Sequence, residues 1–283
     1  MNKFILLFLH CTILNFTTTL FASNYTVNID KAHFRKLTIG INPFTNNGGG
    51  DLSKKQQQIK NELKRLLKFT RIFNPITLNN KTNIKDTRTN RNYWRTLGVD
   101  IIINGSIKKD GKKYNLDLIV SERSTNRLLI KENYKIKYYK DFKLSLKKFV
   151  DLIIIHFTKR SGFFQSKIVF IGRKYKSSQK KVYTCDPDGS NVKLISQKNT
   201  LHVAPNISHD GAMITYTSYQ TNYPNLYLYN SYTKKADKIS KSNALSMGGT
   251  FSPNNKLILY SPSKNGNTEI HLQNITTKKS DGF

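Results

Sequence analysis

The C-terminal third of this chain repeats itself, and the repeat restricts the possible folds more than any other feature of the sequence. The segment SHDGAMITYTS, which starts at Ser208, matches SPNNKLILYSP, which starts at Ser252, at a shift of 44 residues. The same shift aligns Tyr216 with Tyr260, and it aligns NLYLYNS with EIHLQNI. An earlier copy reads KIVFIG followed by KKVYTCDPDGSNVKLIS.

A period in the forties that contains four short strands is typical of one blade of a β-propeller, in which each blade buries its faces against its neighbours. The strands of one blade are named A to D from the centre outwards. The first copy supplies strands B, C and D, the second supplies A to D, and the third supplies A, B and part of C. A closed propeller has about four to eight blades. We therefore expect residues 167–283 to form an incomplete all-β propeller of WD40-like repeats. Such a chain is a fragment, is truncated by an early stop, or leaves an exposed sheet edge that pairs with something else.

The preceding part of the chain, residues 23–157, has the pattern of an α/β (α+β) domain. KLTIGINPF, from Lys36, is an apolar strand that stops at Pro43, and Ile101–Asn104 is a second, buried strand. GKKYNLDLIV and RLLIKENYKIKYY alternate polar and apolar residues, which predicts an antiparallel meander.

Helices are predicted between and after these strands. A short helical turn carries Trp94 and stops at Gly98, and residues 158–166 form a short hinge that leads to the propeller. Two longer helices are predicted, each with an apolar stripe that packs on the sheet. The stripe of the first consists of Ile59, Leu63, Leu66 and Leu67. The second helix runs from about Asp141 to Phe157, and its stripe consists of Phe142, Leu146, Phe149, Val150 and Ile153.

The N-terminus has the three parts of a secretory signal peptide: a cation at Lys3, an apolar stretch over Phe4–Leu14, and a polar region that ends at Ala22. We therefore expect residues 1–22 to be removed by cleavage near Ala22. An uncleaved membrane anchor is the alternative, but the apolar stretch is shorter than the roughly 20 residues that a spanning helix needs. Acylation of Cys11 is not expected, because a large side chain precedes it. Only Cys185 then remains, which leaves no intramolecular disulfide.

The chain carries 47 Lys and Arg against 17 Asp and Glu, a net charge of +30. Such an excess attracts nucleic acid or anionic lipid, so a polycationic protein that binds either is an alternative function. The cations are, however, spread over helices, hairpins and linkers, together with the Asn, Ile, Tyr and Phe that an AT-rich genome favours. We therefore expect no nucleic-acid partner.

Ser208, His209 and Asp210 are consecutive and have the residue types of a hydrolase triad. A triad joins side chains from different parts of the fold, and the equivalent turn reads Ser252-Pro253-Asn254, which lacks both the base and the acid. We therefore interpret the segment as a turn whose side chains bond to its own backbone. A propeller-containing peptidase or hydrolase fragment is a further alternative, although no G-x-S-x-G motif follows.

Other chemical candidates are weaker. NNGGGD could hold a phosphate at a helix N-terminus, but it completes neither nucleotide-binding motif, and Asp51 adds negative charge. The histidines lack the spacing of metal ligands. Asp186 and Asp188, the closest carboxylate pair, lie in a CDPDG turn whose local geometry accounts for them. Alternating tyrosines such as Tyr216 and Tyr227 fit blade cores. We therefore expect no catalytic residue, no cofactor and no metal.

Several of these segments resemble the TolB family, the periplasmic propeller proteins of bacterial Tol-Pal envelope systems. They are KLTIGINPF, LLKFTRIFNPI, WRTLGVDIIINGSI and LIIIHFTKRSGFFQSKIVFIG in the first part, followed by VYTCDPDGSNVKLIS and YTSYQTNYPNLYLYNSYTKKADKIS in the blades. The family's W-S-P-D-G turn is altered here, since Ile207 or Phe251 stands first, His209 replaces Pro, and Asn254-Asn255 replaces Asp-Gly. About half of the family's propeller is also missing.

The resemblance implies a non-enzymatic periplasmic scaffold that contributes to outer-membrane integrity and cell division. Its propeller would dock the peptidoglycan-associated lipoprotein Pal, which associates it indirectly with the outer membrane. Its extended mature N-terminus would reach the inner-membrane protein TolA by strand addition to a sheet. In this sequence the tail comprises Ser23, Asn24, Tyr25, Thr26, Val27, Asn28, Ile29 and Asp30. We expect a monomer and assign no single residue to the Pal surface, which several blades build.

Overall fold

The structure is a computed structural model that describes residues 36–78, 87–173, 179–221, 223–239, 245–264 and 266–282. The chain divides into two units, and the described residues all belong to one of them, Lys36–Phe283. The predicted signal peptide and the predicted tail, Ser23–Asp30, lie outside the described residues. Within the described ranges, no helix is long and apolar enough to cross a membrane.

The first part of the chain builds a mixed sheet of six strands. Their order is β3-β1-β4-β5-β6, with β2 paired to β4. β1 runs parallel to β3 and β4, whereas β4, β5 and β6 form the predicted antiparallel meander. The strands are β1 (Leu37–Ile41), β2 (Thr45–Asn46), β3 (Phe73–Thr77), β4 (Ile101–Asp110), β5 (Lys113–Glu122) and β6 (Leu128–Ile136).

Among the residues that the structure describes, three helices cover this sheet: α1 (Ser53–Phe69), α2 (Thr87–Thr96) and α3 (Tyr139–Thr158). The predicted apolar stripes of α1 and α3 are buried together in the large core on one face of the sheet. α2 packs through Trp94 in a smaller core that includes Ile102 of β4, whereas Ile101 and Ile103 belong to the large core. Because the start of β4 is covered on both faces, Ile101–Ile103 is a continuous apolar run, whereas the strand from Asn104 onwards is largely polar and ends in exposed residues.

Two glycines fix the position of α2. Gly98 follows the helix with a φ of +63°, the left-handed conformation that the predicted stop requires. Gly40 of β1 lies under Trp94, where an added Cβ would be 2.9 Å from the indole ring. The indole Nε1–H donates to Asn42 Oδ1 at 2.9 Å, so the buried ring keeps a partner for its polar atom.

The connection after α3, which the sequence predicts as a hinge, is packed against the helices. The Phe164 N–H donates to Asp151 Oδ1 at 3.0 Å, and the Phe164 side chain is buried in the large core. The rings of Phe163 and Phe164 lie 6.2 Å and 5.9 Å from that of Phe69 on α1. These two aromatic residues hold the connection that the sequence predicts as a short hinge.

From Ile168 onwards three small antiparallel sheets follow one another, and they are named blades 1, 2 and 3 here. Blade 1 contains β7 (Ile168–Gly172), β8 (Lys181–Cys185) and β9 (Lys193–Leu194). Blade 2 contains β10 (His202–Ile207), β11 (Met213–Ser218), β12 (Asn225–Asn230) and β13 (Lys235–Lys238). Blade 3 contains β14 (Leu245–Phe251), β15 (Leu257–Lys264), β17 (His271–Asn274) and β18 (Ser280–Gly282), with β16 (Asn267–Thr268) paired to β15. This is the predicted incomplete propeller: within the described residues, the blades do not close into a ring.

Blade 3 is more complete than the sequence predicts, since the pattern indicates only strands A, B and part of C there. β18 pairs with β17 in the registers Leu272–Asp281 and Gln273–Ser280 and supplies strand D. The expectation failed because SDG is too short and too polar to show a strand pattern. Blade 1 has strands B, C and D as predicted, so the described residues contain three blades.

Candidate functional site

The Ser208-His209-Asp210 segment forms the turn between β10 and β11. The Ser208 hydroxyl donates to Asp210 Oδ1 at 2.6 Å and accepts the Met213 N–H at 2.8 Å. His209 uses its backbone N–H, which donates to Asn255 Oδ1 at 2.9 Å. Because the serine bonds directly to the carboxylate and to its own hairpin, the geometry is that of a polar turn and not that of a triad.

The equivalent turn of blade 3 repeats these contacts atom for atom. The Ser252 hydroxyl donates to Asn254 Oδ1 at 2.7 Å and accepts the Leu257 N–H at 3.0 Å. The Asn254 side-chain oxygen therefore accepts the same hydrogen bond from serine as the Asp210 carboxylate, although Asn254 carries no charge. The interpretation of both segments as blade turns is confirmed, and the bond from His209 to Asn255 joins the two turns.

Charged side chains meet at the junction between the first domain and blade 1. Lys147 of α3 is buried, and its Nζ lies 2.7 Å from Asp186 Oδ2 and 3.0 Å from Asp188 Oδ1. It also donates to Ser190 Oγ at 2.8 Å. The two carboxylates belong to the turn between β8 and β9, and Lys167 forms a further ion pair with Asp186. One buried cation thus ties α3 to the first blade.

Arg65 of α1 extends this junction on its outer side. Its Nη2 lies 2.7 Å from Asp188 Oδ2 and 2.7 Å from Glu62 Oε1, and its Nε donates to Glu62 Oε2 at 2.9 Å. Both long helices of the first domain therefore hold the same turn of blade 1. We call the set Arg65, Lys147, Asp186 and Asp188 the junction cluster.

The junction cluster keeps its carboxylates ionised. Burial would raise the pKa of Asp186, but hydrogen bonds from Lys147, Lys167 and Asn191 outweigh it and lower the pKa to about 2. Burial would raise the pKa of Asp188 as well, but the hydrogen bonds from Arg65, Ser190 and Lys147 outweigh this effect and hold its pKa well below the usual value. Both carboxylates are therefore charged at neutral pH. Such groups are suited to stable ion pairs and not to the uptake or release of protons near neutral pH.

The sequence indicates the two carboxylates but not their partners. In the sequence the local CDPDG turn accounts for Asp186 and Asp188, whereas the structure places them against a lysine 39 residues and an arginine 123 residues earlier in the chain. The available signal was Lys147 itself, which borders the apolar stripe of α3. No group of three or more potential metal ligands occurs among the described residues.

Two clefts separate neighbouring blades. The cleft between blades 1 and 2 has a volume of about 410 Å³ and is lined by tyrosines and lysines, including Tyr227 and Lys198. The cleft between blades 2 and 3 has a volume of about 400 Å³ and includes Leu228 and Ile275. Their walls combine aromatic or aliphatic side chains with lysines, and Asp237 lines both clefts. Tyr216, Tyr227 and Tyr229 are buried in the blade core, as predicted.

The predicted partner-binding tail cannot be placed with these features, because Ser23–Asp30 lies outside the described residues. The assignment of these eight residues to partner binding therefore stays a prediction.

Two family models match this chain in successive segments. The model described as the TolB amino-terminal domain matches residues 25–122, and the model described as the TolB β-propeller domain matches residues 155–281. Together they cover both halves of the fold, in the order in which the structure presents them.

Curated relatives carry corresponding names. The chain is 27% identical over 217 residues to the Tol-Pal system protein TolB of Desulfosudis oleivorans, a match that covers 74% of this chain and 49% of that protein. It is 31% identical over 166 residues to the protein TolB homolog of Chlorobaculum tepidum, which covers 58% of this chain and 37% of that protein. The chain thus spans about half the length, or less, of the curated relatives that it matches.

A solved structure has the same fold. The crystal structure of TolB from Acinetobacter baumannii superposes with a TM-score of 0.70 over 88% of this chain and 60% of that chain, at 19% sequence identity. At this level of identity the match concerns architecture alone.

Proposed function

This chain belongs to the TolB family, and we propose that it is a non-catalytic scaffold of a Tol-Pal system. The observation that carries the proposal is the presence of both TolB domains in one chain and in family order. Because the chain spans about half of its curated relatives, the activity of a complete relative comes to it only as a hypothesis.

The proposed scaffold works in the periplasm after removal of residues 1–22. Residues 23–157 form its first domain, residues 158–166 the connection, and residues 167–283 the partial propeller. It links a Pal-like lipoprotein to a TolA-like inner-membrane protein and so contributes to outer-membrane integrity and cell division. The tail, Ser23–Asp30, contacts the TolA-like protein, and the propeller contacts Pal.

The geometry favours a scaffold over a hydrolase fragment. The Ser208 and Asp210 side chains are engaged in their own turn, and blade 3 keeps that turn with Asn254 in place of the acid. The junction cluster holds its charges in fixed ion pairs. These features support a rigid arrangement of two domains, which is what a protein that links two partners needs.

The tail proposal is tested by replacing Ser23–Asp30 with a Gly/Ser segment of equal length, with the signal peptide left in place. We expect loss of capture by an immobilised TolA-like protein from the same organism, with an unchanged far-ultraviolet circular dichroism spectrum. A tail of the same composition in scrambled order is the control for charge and length. Undiminished capture by the Gly/Ser variant would show that the tail is not the contact.

Capture of Pal distinguishes the scaffold from a polycationic binder. Binding that depends only on the net charge of +30 weakens steeply as the salt concentration rises. The reason is that counterions released on binding gain less entropy when the surrounding salt is already concentrated. We expect capture of the Pal-like lipoprotein that changes less than about tenfold between 50 and 500 mM salt. A steep loss over that range, equal for Pal and for an unrelated acidic protein, would favour the polycation.

A further inference from the structure

The strand β6 lies at one edge of the mixed sheet of the first domain, and among the described residues it pairs with β5 alone. In an antiparallel pair, every second residue of an edge strand directs its backbone N–H and C=O away from the neighbouring strand. β6 is 9 residues long, Leu128–Ile136, so these outward groups form a regular row. Such an edge is a template on which a further strand can pair.

A groove of about 580 Å³ lies between this edge and α3. It is lined by Leu129 and Ile130 of β6 and by Leu152 and Ile155 of α3. Leu152 is 36% exposed and Ile155 is 45% exposed, although both side chains are large and apolar. A further strand beside β6 would direct every second side chain towards α3, and apolar side chains at those positions would remove the surface of Leu152 and Ile155 from water.

The groove belongs to the first domain and is not a gap between blades. Lys147 marks the side of α3 that meets blade 1, since its Nζ lies 2.7 Å from Asp186 Oδ2. His156, which lines the groove, comes nine residues after Lys147, which is about two and a half turns of an α-helix. The groove therefore lies on the opposite side of α3 from the contact with the propeller.

The charges of β6 differ between its two faces. Glu132 pairs with Leu118 of β5, which is buried in the large core, so Glu132 lies on the face that the helices cover. Lys131 and Lys135 lie on the other face, where both are exposed. Lysines on an edge strand disfavour pairing with a second copy of that strand, because like charges then lie next to each other. The same lysines attract a strand with acidic side chains on their face.

We propose that β6 binds an extended segment of a partner protein, in which apolar and acidic side chains alternate and which adds to the sheet as a further strand. The apolar side chains pack in the groove against Leu152 and Ile155, and the acidic side chains lie beside Lys131 and Lys135. Backbone hydrogen bonds to β6 supply affinity, and the alternation supplies specificity. This contact involves neither the tail, Ser23–Asp30, nor the propeller, so it does not rest on the Tol-Pal proposal.

The probe is a fluorescent peptide of four valine–glutamate repeats, and its anisotropy measures binding to the signal-free chain. A peptide in which the four valines precede the four glutamates has the same composition and should bind about tenfold more weakly. The double variant Lys131→Glu/Lys135→Glu should lose the first peptide and bind a peptide of four valine–lysine repeats instead, which also shows that it is folded. Lys234→Glu/Lys235→Glu on blade 2 makes the same change of charge at exposed residues and should leave binding unchanged.

Hydrogen exchange of the β6 amides, resolved by residue with NMR, separates strand addition from attraction between charges. The outward amides should exchange about tenfold more slowly with the alternating peptide, and Ile155→Glu should reduce this protection. No binding of that peptide, binding without protection, or equal binding of the two valine–glutamate peptides would each overturn the proposal. Slow exchange of the outward amides before peptide is added, or a mass of two chains that Ile155→Glu reduces to one, would overturn it too, because the edge would then be covered by this chain or by a second copy.

Discussion

Lys147 shows how one side chain can join two domains. Its ammonium group is enclosed by Asp186, Asp188 and Ser190, so that a charge on α3 is balanced by charges on the first blade. Buried charges are tolerated only when they are paired and hydrogen-bonded. The junction cluster therefore depends on all of its members being present at once.

Lys147→Ala is expected to lower the free energy of unfolding by about 3–5 kcal/mol, because it leaves two buried carboxylates without their shared cation. Urea unfolding measures the change. Lys148→Ala, at an exposed position on the same helix, is the control and should change the free energy by less than about 0.5 kcal/mol. Equal effects of the two substitutions would mean that the cluster contributes nothing to stability.

The lowered pKa of Asp186 makes stability depend on pH. Its pKa is about 2 in the folded chain and about 3.9 in an unfolded chain, so the unfolded chain binds more protons as the pH falls through this interval. The stabilisation is complete above about pH 5 and is lost towards pH 2. Asp186 alone should account for about 1 kcal/mol of lost stability between pH 5 and pH 3.

Urea unfolding of the unsubstituted chain and of Asp186→Asn at pH 5 and pH 3 isolates this contribution. The asparagine variant should be less stable at pH 5 and should lose about 1 kcal/mol less than the unsubstituted chain on acidification. Parallel losses in the two proteins would assign the acid sensitivity to other carboxylates.

At the scale of elements, the strand β11 offers a matched pair of buried threonines. Thr215 and Thr217 lie on the same face and are both 0% exposed. The Thr215 hydroxyl donates to the Gly249 carbonyl of blade 3, whereas among the described residues the Thr217 hydroxyl has no partner. A close approach makes the first bond possible, since a Cβ on Gly249 would lie 3.0 Å from Thr215.

Thr215→Val is expected to cost about 1–2 kcal/mol, because it leaves the Gly249 carbonyl without its donor between two blades. Thr217→Val should be neutral or slightly stabilising, because it removes a hydroxyl that is buried without a partner. Chemical denaturation of the two variants measures the difference. Equal losses would show that the valine shape, and not the hydrogen bond, sets the cost.

Periodic elements were predictable from the sequence, and contacts between distant elements were not. The stripes of α1 and α3, the meander and the blade turns follow from local spacing, which is why Ser208 and Ser252 could be interpreted together. β18 was missed because three polar residues carry no period. The partners of Asp186 and Asp188 were missed because a charge pair across two domains leaves no spacing to find.

For the whole molecule, the junction cluster and the packing of Phe163 and Phe164 on Phe69 predict that the two domains unfold together. Trp94, the only tryptophan, is buried in the first domain, so its fluorescence reports on that domain alone. Hydrogen exchange of residues 211–221 reports on blade 2. In the unsubstituted chain the two urea transitions should coincide, and in Lys147→Ala they should separate.

Separate transitions in the unsubstituted chain would contradict this coupling. Trp94→Phe provides the control for the fluorescence signal, since it should abolish that signal. Because the two domains unfold together, the stability that the smaller ring loses in the first domain should also lower the midpoint of the exchange transition of blade 2.

The shared face chemistry of the blades bears on how such chains change length over generations. Blade 2 packs Tyr216 and Tyr227 against blade 1 and Leu226 against blade 3, so a duplicated unit of about 44 residues with the same pattern would meet its neighbours with similar side chains. Gain or loss of a unit therefore requires no simultaneous change elsewhere in the chain. What such an event alters is the number of blades, and with it the number of clefts between neighbouring blades.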